Sequence, residues 1–74
     1  AVQPAPVVGG DWGRRLREVE EEISHKRSML RLLEERWVKG EISKEEYEEK
    51  RRRIEEDLRE LQLRRERLAV AGPV

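Results

Sequence analysis

The stretch Lys39-Gly40-Glu41-Ile42-Ser43-Lys44-Glu45-Glu46-Tyr47 constrains this chain more than any other, because it sets a helix stop and a helix start back to back. Gly40 follows an apolar-periodic segment at the point where a helix needs a residue that tolerates positive φ to satisfy its last carbonyls. Three residues on, Ser43 can accept from the backbone N–H of Glu46 while the Glu46 carboxylate reaches back to the Ser43 N–H, the reciprocal pair of a capping box. Ile42 and Tyr47 flank this cap at the spacing of a hydrophobic staple. One helix must end near Lys39 and another begin at Lys44, and so short a connection folds the two antiparallel.

The flanking segments carry the matching periodicity. Asp11 reads as the N-cap of a helix over 12–39, along which Trp12, Leu16, Val19, Ile23, Leu30, Leu33 and Trp37 alternate by fours and threes with one gap at Lys26. The second helix, over 44–70, repeats the alternation with Tyr47, Ile54, Leu58, Leu61 and Leu68, and Arg51 and Arg65 fill its gaps. Gly72 and Pro73 form the stop pair beyond it. Before the helices, residues 1–10 (AVQPAPVVGG) are uncharged and hold two prolines, which predicts an extended arm with Gly9-Gly10 as a joint. That arm is either a solvated lead or a strap lying along another subunit.

Closing the hairpin at the turn sets the register. Trp37 meets Tyr47, Leu33 meets Arg51, Leu30 meets Ile54, Lys26 meets Leu58, Ile23 meets Leu61, Val19 meets Arg65 and Leu16 meets Leu68. Each charged intruder faces an apolar partner, so its stem can cover that partner while its head reaches water. On the outer faces, Glu22 and Lys26, Glu35 and Lys39, Glu46 and Lys50, Glu48 and Arg52, Glu49 and Arg53, Glu55 and Arg59, and Glu60 and Arg64 are acid-first pairs one helical turn apart. With arginine in excess of lysine, this is the charge pattern of a heat-adapted chain.

Composition now bounds what such a hairpin can do. With 74 residues, of which 46% are charged, the chain offers one small domain and a core no wider than the facing stripes. Two helices provide no third wall for Trp12, Met29, Leu32 and Leu63, so the expected unit is an oligomer or polymer. His25 is the only histidine and there is no cysteine, so no nucleophile and base can be paired, and the reading is of a protein that is not an enzyme and takes no cofactor or small-molecule substrate. The runs Glu18-Val19-Glu20-Glu21-Glu22 and Glu45-Glu46-Tyr47-Glu48-Glu49 lack the alternating ligands and central glycine of a calcium loop, and read as charge at helix starts. No apolar run approaches the roughly 18 residues of a membrane span.

Arginine is the one recognition chemistry on offer. Arg14, Arg15 and Arg17 form one cluster and Arg51, Arg52 and Arg53 another, and guanidinium geometry suits phosphate. The 17 basic and 17 acidic residues cancel, so each cluster is equally a solvated helix face. Repetition changes the arithmetic: one arginine-rich edge per subunit, summed along a polymer, can neutralise double-stranded DNA.

The segment Leu33–Ile54, with its leucine-bearing helix, Gly40-Glu41-Ile42-Ser43 turn, Glu45-Glu46-Tyr47 and the basic run Lys50-Arg51-Arg52-Arg53, resembles the SHOCT (short C-terminal domain) motif. The resemblance spans about a third of the chain, and its helices here run beyond a usual SHOCT unit. It implies oligomerisation or interaction and carries no catalytic residue. In architecture alone, a small helical hairpin with apolar ends is also similar to the coat subunits of rod-shaped or bacilliform archaeal viruses, which wrap double-stranded DNA. The sequence thus points to an all-α, antiparallel two-helix hairpin with an extended N-terminal arm, acting as a self-assembling filament or virion subunit. The alternative is a SHOCT-like interaction module cut from a larger protein. Its setting would be a virion or a cytoplasmic assembly.

Overall fold

The structure, a computed structural model, describes residues 7–72, with side chains from Asp11 onward. It consists of two helices, α1 (Val7–Val38) and α2 (Lys44–Ala71), packed along their lengths as an antiparallel hairpin. The molecule is one helix layer thick, 11 Å between Cα atoms in its thinnest direction.

The turn follows from its residues. Gly40 has φ 78°, the left-handed conformation that closes a helix. Its N–H donates to the Trp37 carbonyl at 2.9 Å and the Glu41 N–H to the Arg36 carbonyl at 2.8 Å, the two bonds of a Schellman motif. Ser43 is extended, and its Oγ accepts from the Glu46 N–H at 3.1 Å. Half of the predicted capping box forms, since the Glu46 carboxylate turns instead to Lys50 Nζ at 2.9 Å. Ile42 packs against the cluster that holds Tyr47, as the staple requires.

Among the described residues six apolar side chains are buried, in two clusters: Val19, Ile23 and Leu61 toward the open end, and Leu33, Tyr47 and Ile54 toward the turn. Leu58 packs against both. Lys26 separates them. Its side chain is half-buried, and its Nζ lies 3.0 Å from Asp57 Oδ2 across the seam, so the gap in the stripe becomes a cross-helix ion pair. Trp37 stacks on Tyr47 with ring centroids 4.4 Å apart and planes 11° from parallel, which fixes the register at the turn.

The structure corrects several expectations. Helix α1 begins at Val7 and not at Trp12, so residues 7–10 are helical and the extended reading of the arm fails for them. Extending an existing helix is far cheaper than nucleating one, and Pro6 just ahead is compatible with a helix start, so two glycines are tolerated in the first turns. The remaining arm, residues 1–6, lies outside the described residues, as do residues 73–74. Asp11 is consequently no N-cap: its carboxylate lies 2.7 Å from Arg14 and 3.2 Å from Arg15 one turn along. Among the described residues only Glu46–Lys50 of the acid-first pairs forms. Lys26 goes across the seam, and Glu55 is taken by Arg51, because a partner on the facing helix or one turn back lies equally near. Arg65 likewise reaches Glu20 of α1, at 3.4 Å.

Candidate self-association surface

Apart from Val38 at the end of α1, the large apolar side chains left exposed outside the seam among the described residues fall into two places. Beside the seam, Met29, Leu32 and Leu33 of α1 and Ile54 of α2 floor a shallow groove of about 420 Å³ near the turn. Arg36 edges it from α1, Lys50 and Arg53 from α2, and the Lys26–Asp57 pair closes its far end. Leu32, 58% exposed, is the barest of its floor. The second place is the back of α2, where Leu63 and Val70 flank Glu66 and Arg67. At 100° per residue Leu63 points away from the seam, so no residue of its own hairpin can cover it.

The groove continues toward the open end. A second depression shares Lys26 and Asp57 with it and runs on to Glu22, Glu60 and Arg64. A third shares Glu22 and Arg64 and reaches Glu18 and Arg15. One face of the hairpin is therefore apolar with a basic rim near the turn and rich in acids farther along α1, where Glu18, Glu21 and Glu22 surround His25. Neither Arg36, Arg53, Glu18, Glu21, Glu22 nor Glu60 makes an ion pair among the described residues.

Of the residues singled out for self-association, Met29, Leu32 and Leu63 are exposed. Trp12 is half-buried and engaged within the hairpin, its Nε1–H donating to the Leu68 carbonyl at 2.6 Å. The six arginines do not converge. Arg14 and Arg15 share Asp11 at the open end, and Arg51 near the turn is held by Glu55, which accepts its Nε–H at 3.0 Å and raises the guanidinium pKa above its ordinary value. Arg53 belongs to the groove. Arg17 and Arg52 remain exposed and without an ion pair among the described residues, near opposite ends of the hairpin. These six arginines thus form no continuous track on a single subunit.

The combined groove is what sequence reasoning missed. Met29 and Leu32 stand out as an apolar set off the stripe, but Arg36 and Arg53 join them only once both helices are in place. The available signal was that Met29, Leu32 and Arg36, and Lys50, Arg53 and Asp57, each recur at three- and four-residue steps on one flank of their stripe. Among the described residues, no three His, Cys, Asp or Glu side chains are placed to hold a metal ion. Among the described residues, no helix is long and apolar enough to cross a membrane. No protein-family model, curated protein or solved structure matches the chain.

Proposed function

We propose that this protein is a non-catalytic building block whose function is to assemble with copies of itself. One observation carries the reading: a hairpin one helix thick leaves apolar side chains bare at two separate places, the groove floored by Met29 and Leu32 and the back of α2 at Leu63 and Val70. Stable domains need two packed layers, and a second hairpin supplies the missing one. Two distinct patches support growth beyond a dimer, since a pair joined through one patch still offers the other.

In its fuller form the assembly is the coat of a filament or virion, with Arg17 and Arg52 meeting the phosphates of double-stranded DNA. Each copy contributes few contacts, and their sum along the assembly supplies the affinity. The second reading, a SHOCT-like interaction module of a larger protein, rests on the sequence of the turn, Gly40-Glu41-Ile42-Ser43 followed by Glu45-Glu46-Tyr47.

Sedimentation velocity over a wide concentration range, with electron microscopy of the same samples, tests the reading. Assembly should grow with concentration, and a helical monomer at every concentration would overturn it. The coat form further requires nucleic acid in the purified native particle, and particles free of it would leave assembly without that role. A gene product much longer than this chain, with the hairpin at its end, would favour the module.

A further inference from the structure

The grooved face is complementary to itself under a two-fold rotation. On α1, Glu18 and Arg36 lie about five turns apart, so they fall on one line along the helix and project from the same flank of the seam. Arg27 is midway between them. In an antiparallel pairing of α1 with the α1 of a second copy, centred at the level of Arg27, Glu18 faces the other copy's Arg36, and Arg36 faces the other copy's Glu18. Met29 of each copy then meets His25 of the other, and Leu32 lies over the aliphatic stem of Glu22.

The facing helix shares nearly the same centre. The Lys26–Asp57 ion pair places Asp57 of α2 within a turn of that level. A two-fold axis at that level sets Arg53 of each copy beside Glu60 of the other. Arg36, Arg53, Glu18 and Glu60 are all without an ion pair among the described residues. Two positions oppose like charges, Lys50 against Arg64 and Asp57 against its own copy, and Lys50 and Asp57 are each already paired within their hairpin, with Glu46 and Lys26.

We infer that the grooved face is an isologous interface, in which a second copy packs face to face with its turn at the first copy's open end, giving an antiparallel four-helix bundle. This rests on the self-assembly reading and names the surface through which assembly starts. Covering Met29 and Leu32 with the His25 ring and the Glu22 stem of the other copy drives association, and the charges select the antiparallel sense. Exposed ion pairs add little affinity, whereas like charges forced together exclude the wrong pairing. The back of α2, with Leu63 and Val70, stays free to join one bundle to the next.

The test uses Glu18→Arg and Arg36→Glu, each alone and then mixed. Each variant alone opposes like charges twice per dimer and should associate at least about tenfold more weakly than the parent chain. An equimolar mixture restores two opposite-charge pairs in every mixed dimer and should recover the parent's association by sedimentation. Because the rescue is read on mixing, it does not depend on either variant folding fully alone. Variants that associate like the parent, or a mixture no better than its components, overturn the interface while leaving self-assembly standing. The first result is also expected if the groove serves an acidic helix of another protein, and the second if the pairing is turn to turn. A parent chain that never associates overturns both inferences.

Discussion

The indole Nε1–H of Trp12 donates to the carbonyl oxygen of Leu68 at 2.6 Å, tying the first stripe residue of α1 to the last of α2. The same carbonyl accepts the Gly72 N–H at 3.0 Å, so the helix stop and the clasp share one oxygen. With the Trp37–Tyr47 stack at the other end, the hairpin is fastened at both extremities by a tryptophan.

Trp12→Phe keeps an aromatic ring and removes the donor. Since the Leu68 carbonyl retains the Gly72 N–H, no buried acceptor is orphaned, and the expected loss is about 0.5–1.5 kcal/mol. Urea unfolding followed by circular dichroism at fixed protein concentration measures it. Hydrogen exchange should quicken at the open end and not at the turn.

Two glycine substitutions should move stability in opposite directions. A Cβ at Gly40 meets nothing within 4 Å, but the residue sits at φ 78°, so Gly40→Ala costs about 1–2 kcal/mol through backbone strain alone. Gly13 has equally open surroundings and lies inside α1, so Gly13→Ala should stabilise by about 0.5–1 kcal/mol. Thermal melts of the two variants give the comparison.

Removing the cap at Ser43 isolates the value of the helix start. Ser43→Ala leaves the Glu46 N–H without its acceptor and should cost about 1 kcal/mol, whereas Ser43→Asp restores an acceptor and should melt close to the parent chain. Equal losses for both would mean that the staple of Ile42 and Tyr47, and not the cap, sets the start of α2.

Ile54→Ala tests whether the two buried clusters act as one core. Ile54 is buried with Leu33 and Tyr47, and truncation there should cost about 2–5 kcal/mol. Leu58 contacts both clusters, so a single cooperative transition is expected. Two separate transitions would show that the Lys26–Asp57 pair divides the hairpin into independent halves.

Charging the bare apolar patches separates assembly from folding. Leu32→Glu and Leu63→Glu replace exposed side chains, so neither should lower the helicity of the hairpin by more than the effect of its own lost association. Leu32→Glu should abolish the first association step. Leu63→Glu should leave dimers and stop larger species, which sedimentation resolves directly.

How much of this was legible beforehand differs from residue to residue. The turn was, because Gly40 and Ser43 act within a few residues of themselves, through backbone conformation and one local hydrogen bond. The seam was too, since helical periodicity fixes which side chains share a face and a short turn fixes the register: Tyr47, Ile54 and Leu61 are buried where the alternation puts them. The start of α1 was not, because Val7 to Gly10 have weak local preferences and follow the helix they adjoin. Nor were the partners of the charged residues. Lys26 takes Asp57 in place of Glu22, and Glu55 takes Arg51 in place of Arg59, because several opposite charges lie within reach of each.

By itself the sequence determined the two helices, the turn between them and the face each turns inward, since these follow from propensity and period acting along the chain. Only the tertiary structure decided that Trp12 closes the open end on Leu68, and that Met29, Leu32, Arg36 and Arg53 form one groove. Those relations depend on where residues distant in sequence come to lie once the helices pack, a placement that no pattern along one helix encodes.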